Sequence, residues 1–110
     1  MELNDYQIMA HETSHNTVMG NSLWLYPTLG LVGEAGELAN KAKKVYRDND
    51  GLFSPDERDA MLQELGDVLW YVAEIANQLG ASLNTVAQLN LTKLASRQQR
   101  GVIGGSGDNR

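Results

Sequence analysis

The chain contains no cysteine, only two prolines and only one phenylalanine among its 110 residues. Without cysteine, disulfide scaffolds, thiolate metal sites and cysteine nucleophiles are excluded. Valine, isoleucine and aromatic residues are too scattered to supply several strands, so helices are favoured over a sheet. A chain of this length holds one core, and we interpret residues 1–110 as a single domain.

Long apolar runs and an amino-terminal targeting segment are also missing. The first twenty residues carry acidic side chains and no basic segment. No apolar run approaches the roughly 18 residues that a membrane span requires. We therefore expect a cytoplasmic protein with no membrane partner.

Basic residues are scarce over most of the chain. The net charge is −5, but residues 1–80 hold five lysines and arginines against thirteen aspartates and glutamates, whereas residues 81–110 hold four basic residues against Asp108 alone. A nucleic acid polymer is not an expected partner, because a phosphate polymer requires a continuous basic face. A small polyanion bridged by cations is compatible with this charge distribution.

The spacing of apolar residues predicts an all-α chain of four helices. Asn4 and Asp5 can cap a short first helix, and the polar segment 14–22 is predicted as a loop. The three helices after it are predicted over about Leu23–Tyr46, Pro55–Leu79 and Leu83–Gln99. Residues 101–110 include four glycines and are predicted to form a flexible tail.

The third helix has the clearest boundaries. Ser54, Pro55 and Glu57 form a capping box with proline in the first helical position, and Gly80 is suited to the position after the last turn. Ser82 can cap the fourth helix. The preceding segment, residues 47–53, contains Asn, Asp and Gly and is predicted as a loop.

Apolar stripes indicate how the helices pack. The second helix carries two stripes, so we expect it to be packed from two sides. This exceeds what three short partners can cover and predicts a bundle completed by a homodimer or homotetramer. On the second helix, one stripe is Leu25, Leu29, Val32, Gly36 and Ala39, and the other is Leu31, Leu38, Ala42 and Val45. The stripe of the third helix is Met61, Leu65, Val68, Val72, Ile75 and Leu79. The fourth helix is expected to point inward with Leu83, Val86, Leu89 or Asn90, and Leu94.

Two pairs of acidic residues are the candidate metal ligands of the sequence. Glu34 and Glu37 lie three residues apart on the second helix, and Glu64 and Asp67 lie three apart on the third, so each pair shares one side of its helix. Two antiparallel helices can aim these four carboxylates at one point. Oxygen ligands without His or Cys suit Mg²⁺ or Mn²⁺ better than Zn²⁺. The alternative is a solvated surface, with Glu37 and Lys41 forming an ordinary ion pair.

Glycines flank both pairs and favour the metal site over the surface interpretation. Positions 30, 33, 36 and 66 are glycine, although a glycine inside a helix costs up to about 1 kcal/mol relative to alanine. These glycines suggest close approach of another helix near the carboxylates.

The basic end supplies complementary charge. Lys93, Arg97 and Arg100 share one face of the fourth helix, and Arg110 ends the glycine-rich tail, which can fold over a ligand. The alternative is a solubilising face with an irregular terminus. Trp24 and Tyr71 are candidates to line a pocket, and we interpret His11 and His15 as surface residues.

Taken together, these motifs resemble a known family. GLVGEAGELAN at residues 30–40 with LQELGDVLWYVA at 62–73 is similar to the E-x-x-E and E-x-x-D signature of MazG-like, all-α nucleoside triphosphate pyrophosphohydrolases. The segment NLTKLASRQQRGVIGGSGDNR at 90–110 is similar to the carboxyl end of short bacterial and phage members. The resemblance spans about residues 4–110. Many relatives have two adjacent glutamates where this chain has Gly33 and Glu34, which leaves the outer ligand set open.

The resemblance implies Mg²⁺-dependent hydrolysis of a (deoxy)nucleoside triphosphate to the monophosphate and pyrophosphate, with Mn²⁺ as a substitute. Four carboxylates would be the catalytic metal ligands, one of them, Glu37, holding the attacking water, and the basic residues would bind phosphates. The ligands implied are Glu34, Glu37, Glu64 and Asp67, and the phosphate-binding residues are Lys93, Arg97, Arg100 and Arg110. The candidates for the nucleoside pocket are Trp24, Tyr71 and Asn90.

Alternative functions remain open at this point. A dUTPase-like or phosphoribosyl-ATP pyrophosphohydrolase-like activity would use the same acidic residues on another substrate. A catalytically silent helical interaction module would assemble and release no pyrophosphate.

Overall fold

Four α-helices and no strands make up the computed structural model, which describes residues 1–110. The helices are α1 (Leu3–His11), α2 (Leu25–Asn49), α3 (Pro55–Gln78) and α4 (Leu83–Gln99). The all-α prediction is therefore confirmed. No helix is long and apolar enough to cross a membrane.

The boundaries of α3 and α4 follow their local sequence signals. The Ser54 hydroxyl accepts a hydrogen bond from the backbone N–H of Glu57, and the Glu57 carboxylate accepts one from the backbone N–H of Ser54. Gly80 has a φ of +72° after the last turn of α3, and the Ser82 hydroxyl caps α4 through the N–H of Thr85. The predicted capping box and both caps are confirmed.

The first two helices differ from the prediction at their ends. Glu2, not Asn4 or Asp5, is the residue before α1, and Asn4 instead accepts a hydrogen bond from the backbone N–H of Asn84 at the start of α4. The predicted loop at residues 47–53 was placed too early, because α2 continues to Asn49. It ends where Asp50 and Gly51 adopt left-handed backbone angles, with φ of 54° and 81°.

Helices α2 and α3 form an antiparallel hairpin that is the largest helix pair of the fold. Gly30 lies beside Tyr71 at one end of the pair, and Asn49 bonds to Glu57 at the other. Residue numbers therefore run in opposite directions along the two helices. This arrangement places Glu34 opposite Glu64 and Asp67.

The small core lies where α1 and α4 meet the end of α3. Ala73, Ala76 and Leu83 are buried together, with Tyr6 and Val72 packed against them. Gln7 is also buried, and its amide nitrogen donates to Asn77 and to the Ala81 carbonyl while its oxygen accepts from the N–H of Leu83. These hydrogen bonds hold α1 against the turn between α3 and α4.

A single chain covers only part of its apolar surface. Nine of 110 residues are buried. The radius of gyration is 16.7 Å, compared with about 13 Å for a globular domain of 100 residues. The chain is therefore more open than its length alone would require.

Several apolar positions that we expected to face inward are exposed. Leu29 and Val32, from one predicted stripe of α2, are 52% and 68% exposed, so the single chain packs α2 from one side only. Of the α4 residues that we expected to point inward, only Leu83 is buried. Val86, Leu89, Asn90 and Leu94 are exposed because α4 packs on α1 and α3 near its first turns and does not contact α2.

Candidate active site

Three carboxylates converge between α2 and α3. Glu34 comes from α2, and Glu64 and Asp67 come from successive turns of α3; one oxygen from each lies within 4.8 Å of the others. Glu34 and Glu64 are half-buried, whereas Asp67 is exposed at the rim. The antiparallel hairpin thus brings three of the four predicted ligands together.

The fourth predicted ligand, Glu37, stands apart from this acidic triad of Glu34, Glu64 and Asp67. Glu37 is exposed and does not join the group of oxygens within 4.8 Å of one another. Its charge nevertheless helps to raise the pKa of Glu34, so it lies in the electrostatic neighbourhood of the triad.

Desolvation and the closeness of the other carboxylates both act on the pKa of Glu34. Partial desolvation is the largest cause that raises the pKa of Glu34, followed by a side-chain hydrogen bond with Glu64 and by the charges of Asp67, Glu64 and Glu37. The Nζ atom of Lys41 lies 3.6 Å from Glu64 and offsets part of this charge. Lys41 therefore pairs across the hairpin with Glu64 rather than along α2 with Glu37.

The donor set of the triad fits a hard divalent cation. It offers carboxylate oxygens from two helices, with no nitrogen or sulfur ligand. A cation of this kind would relieve the repulsion that raises the pKa of Glu34. Glu34, Glu64 and Asp67 are thus the residues that could hold Mg²⁺.

The glycines near the triad differ in their surroundings. A Cβ at Gly30 would collide with the ring of Tyr71, so close helix approach is confirmed at this position. At Gly33, Gly36 and Gly66 a Cβ would meet nothing within 4 Å. The expectation of close approach at these three glycines was wrong for a single chain, because their faces of α2 and α3 are uncovered.

The basic residues form a second cluster with the carboxyl-terminal tail. Asp108 lies 3.1 Å from Nζ of Lys93 and 3.2 Å from an Nη atom of Arg97. Hydrogen bonds and charge attraction from Lys93 and Arg97 lower the pKa of Asp108. The tail therefore supplies the anion that the basic face contacts in this chain.

Arg97 is the most enclosed member of this cluster. Its side chain is 5% exposed, and the same guanidinium also donates to the backbone carbonyls of Gly107 and Asp108. Its Nε atom is buried without a hydrogen-bond partner. Arg100 donates to the Arg110 carbonyl, and Arg110 donates to the carbonyls of Val102, Ile103 and Gly107.

The acidic triad and the basic cluster do not meet within one chain. Helix α4 does not pack on α2. The surface recess at the triad is lined by Glu34, Asp67, Trp70 and Tyr71, all from α2 and α3. The structure therefore brings the predicted metal ligands and the predicted phosphate ligands into two separate groups.

A cavity of about 220 Å³ lies beside the triad, between α3 and the loop that connects α1 to α2. Trp70 and Tyr71 line both this cavity and the recess at the triad. Their rings meet edge to face with centroids 5.0 Å apart, and Trp70 donates to the hydroxyl of Thr13. The cavity is also lined by Ser14, His15, Asn16, Thr17, Leu23, Tyr26, Pro27, Glu74 and Gln78.

Of the three residues expected in a nucleoside pocket, only Tyr71 lines this cavity. Trp24 is half exposed at the start of α2 and lies outside it. Asn90 is exposed on α4, also outside. The aromatic residues that do border the cavity with Tyr71 are Tyr26 and Trp70.

Glu74 lines the cavity beside the triad, and the sequence interpretation did not single it out. It is buried, and its Oε1 atom accepts hydrogen bonds from Nδ1 of His11 at 2.9 Å and from the amide of Asn77 at 3.1 Å. His11 is therefore not a free surface residue. The signal was available, since Glu74 is the one charged residue in the apolar run from Val68 to Ile75.

The chain resembles known proteins along most of its length. The family model of the MazG nucleotide pyrophosphohydrolase domain matches residues 27–102. The chain is also 54% identical over 114 residues to the Gene 37 protein of Mycobacterium phage L5, and the match covers all of both chains. That name states no activity. No solved structure matches the chain.

Proposed function

The chain belongs to the MazG nucleotide pyrophosphohydrolase family, and we propose that it hydrolyses (deoxy)nucleoside triphosphates to nucleoside monophosphate and pyrophosphate. The observation that carries this proposal is the convergence of Glu34, Glu64 and Asp67 within 4.8 Å. Water adds at the anhydride between the α and β phosphates, that phosphorus–oxygen bond breaks, and pyrophosphate leaves.

Mg²⁺ is the proposed cofactor, with Mn²⁺ as a substitute, and the triad is its proposed site. When bound, the cation would neutralise charge on the phosphoryl oxygens and favour attack by water. Glu34, Glu64 and Asp67 would hold the cation, and Glu37, the nearby carboxylate outside the triad, would hold the attacking water. The chain needs no Ser, Cys or His nucleophile for this chemistry.

Lys93, Arg97, Arg100 and Arg110 are the proposed phosphate ligands. Fixed cations stabilise the charge that develops on phosphoryl oxygens in the transition state. In this chain Asp108 forms ion pairs with Lys93 and Arg97. Phosphate binding to these two residues therefore requires that the ion pairs with Asp108 break.

A homo-oligomer, either a dimer or a tetramer, is proposed to complete the site. The exposed apolar residues of α2 and α4 and the open glycines at 33, 36 and 66 support this. Because α4 does not contact α2 within one chain, we place the basic cluster of one copy against the acidic triad of another. We further propose that residues 1–110 form one domain and that the protein acts in the cytoplasm. No nucleic acid polymer or membrane is a proposed partner.

The activity is tested with the common ribonucleoside and deoxyribonucleoside triphosphates, each with Mg²⁺, Mn²⁺ or chelator. We expect stoichiometric release of monophosphate and pyrophosphate with either metal and none with chelator. Release of orthophosphate and diphosphate instead would overturn the proposed bond cleavage. Assembly of the protein with no product from any nucleotide would favour the interaction module.

Completion of the site by a second copy is tested by mixing two variants. Asp67→Asn removes a triad ligand, and Lys93→Ala removes an exposed member of the basic cluster. If the two clusters come from different copies, mixed oligomers contain one intact site, and activity is partly restored on mixing. No recovery after the subunits are shown to exchange would place both clusters on one chain.

A further inference from the structure

The cavity beside the acidic triad is lined by a buried carboxylate, Glu74, one of whose oxygens forms no hydrogen bond within the chain. The side chain of Glu74 is 3% exposed. The hydrogen bonds from His11 and Asn77 both fall on Oε1, while Glu74 lines the cavity. No hydrogen bond within the chain falls on Oε2, which is therefore free to accept one from a molecule in that cavity.

The size of the cavity limits what it can hold. Its volume is about 220 Å³, below the range of about 300–1,000 Å³ typical of sites for whole small molecules. Tyr26, Trp70 and Tyr71 provide aromatic surface, and Asn16 and Gln78 provide amides. Aromatic walls with a polar end suit a flat heterocycle, because each base has a π face that stacks on aromatic rings.

The position of Glu74 relative to the triad matches the length of a nucleotide. Glu74 follows Asp67 by seven residues on α3, which places it on the same helical face about 10 Å further along the axis. Tyr71 lies between them and lines both recesses. A nucleotide with phosphates at the triad would extend its base along Tyr71 into the cavity.

We propose that Glu74 selects nucleotides whose base carries an exocyclic amine, such as cytosine or adenine, over bases with a carbonyl at the same position. This inference rests on the proposed function and adds the substrate class. A carboxylate oxygen accepts from an exocyclic amine, as Glu and Asp do from cytosine N4. A carbonyl in the same place would set two acceptors against each other and leave Oε2 without a partner.

Two substrate pairs test this selection in the unmodified protein. Deoxycytidine and deoxyuridine triphosphate carry an amine and a carbonyl at the same ring carbon, and the adjacent ring nitrogen carries a proton only in the carbonyl-bearing base. Deoxyadenosine and deoxyinosine triphosphate differ in the same way. We expect kcat/KM to favour the amine-bearing member of each pair by tenfold or more. Equal values within both pairs, or preference for the carbonyl members, would overturn the proposal.

The Glu74→Gln variant tests the residue itself. Gln keeps the size and can present an amide N–H where the carboxylate presents Oε2. We expect the ratio of kcat/KM within each pair to fall at least tenfold, mainly through KM. An equal loss for both members would show a structural role and overturn the assignment. If the variant fails to fold, the two substrate pairs still decide.

Glu12→Gln is the matched control. Glu12 is an exposed carboxylate next to His11 and does not line the cavity, so this change removes the same charge without altering the acceptor. The ratio should stay at the wild-type value. A change as large as that of Glu74→Gln would attribute selection to net charge and contradict the proposal.

Binding of monophosphates separates this inference from the proposed activity. Deoxycytidine and deoxyuridine monophosphate are titrated into the wild-type protein with Mg²⁺. Tighter binding of the cytidine nucleotide would support the Glu74 assignment even if no triphosphate is hydrolysed. Hydrolysis of triphosphates with no preference in either assay would leave the activity intact and overturn the base selection.

Discussion

The ring of Tyr71 lies against Gly30, in the space that a Cβ at position 30 would fill. This contact joins α2 to α3 one turn from Glu34 on α2 and one turn from Asp67 on α3. Tyr71 lines the recess at the triad as well as the cavity beside Glu74. The absence of a side chain at position 30 therefore sets the position of the ring that separates the two recesses.

Gly30→Ala should destabilise the protein and lower its activity, because the ring of Tyr71 or the hairpin must shift. Overpacking of this kind costs about 1–3 kcal/mol. Thermal unfolding and kcat/KM measure the two effects. At Gly66 a Cβ would meet nothing within 4 Å in one chain. Gly66→Ala should therefore raise stability by up to about 1 kcal/mol through helix propensity if this face stays uncovered, and lower it if a second copy covers the face. A stable, fully active Gly30→Ala protein would contradict the close contact.

Asp67→Asn and Glu37→Gln should each abolish turnover and leave the helical content unchanged. The charge is needed to hold Mg²⁺ or to hold water, and without metal the clustered carboxylates repel one another. Metal-free thermal stability should hold or rise, with the larger rise for Asp67→Asn. Circular dichroism and pyrophosphate release measure these effects. Wild-type activity in Asp67→Asn would refute the triad as the metal site, and in Glu37→Gln it would refute only the role of Glu37.

The raised pKa of Glu34 predicts a pH dependence of stability in the absence of metal. A carboxyl whose pKa is higher in the folded state holds its proton more tightly there. Its favourable contribution is therefore present at low pH and is lost as the pH rises through the pKa of the folded state. Mg²⁺ should reverse the loss by binding the ionised form.

The difference between wild type and Glu34→Gln isolates this contribution from Asp48, Glu57 and Asp108, whose lowered pKa values act in the opposite direction at lower pH. Unfolding temperatures are measured across the acidic to neutral range with chelator. The advantage of Glu34→Gln over wild type should grow with pH. An advantage that shrinks as the pH rises would show that the pKa of Glu34 is lowered in the folded state and not raised.

Asp108→Asn should strengthen triphosphate binding if Lys93 and Arg97 contact the β and γ phosphates, because the competing carboxylate is weakened. Lys93→Ala should weaken triphosphate far more than monophosphate, since the monophosphate lacks those groups. Both nucleotides are titrated against each variant. Equal losses in Lys93→Ala would indicate base or sugar contacts.

Deletion of residues 104–110 distinguishes two roles of the tail, which are closing over the bound substrate and competing with the substrate for the basic residues. If the tail and Arg110 close over the substrate, KM should rise on deletion. If the tail only occupies the basic face through Asp108, KM should fall. An unchanged KM would return the tail to a structural role.

Leu65→Asp should prevent assembly of the proposed oligomer without unfolding the chain. We expected Leu65 in the core or an interface, and it is 50% exposed beside an apolar groove of about 410 Å³ lined with Leu38, Phe53, Met61 and Leu62. Sedimentation and thermal unfolding measure the outcome. Gln63→Asp, an exposed change on the same helix, is the control and should leave the mass unchanged. An unaltered oligomer in Leu65→Asp would exclude this groove from the interface.

Local sequence was sufficient for the number and type of the helices and for the pairing of Glu64 and Asp67 along α3. The capping box at Ser54, Pro55 and Glu57 acts within a single turn, so its geometry is readable from residue types alone. The spacing of Glu64 and Asp67 likewise places them on one side of α3 without any information on packing.

Tertiary structure decided which of these residues meet. His11 and Glu74 are 63 positions apart, and Lys41 pairs with Glu64 across the hairpin rather than with its neighbour on α2. Asp108 meets Lys93 and Arg97 because the tail turns back on α4. Helical periodicity predicts the side of the helix on which a residue lies. How deeply that residue is buried, and which residue it contacts, depend on the relative axial position and rotation of the packed helices.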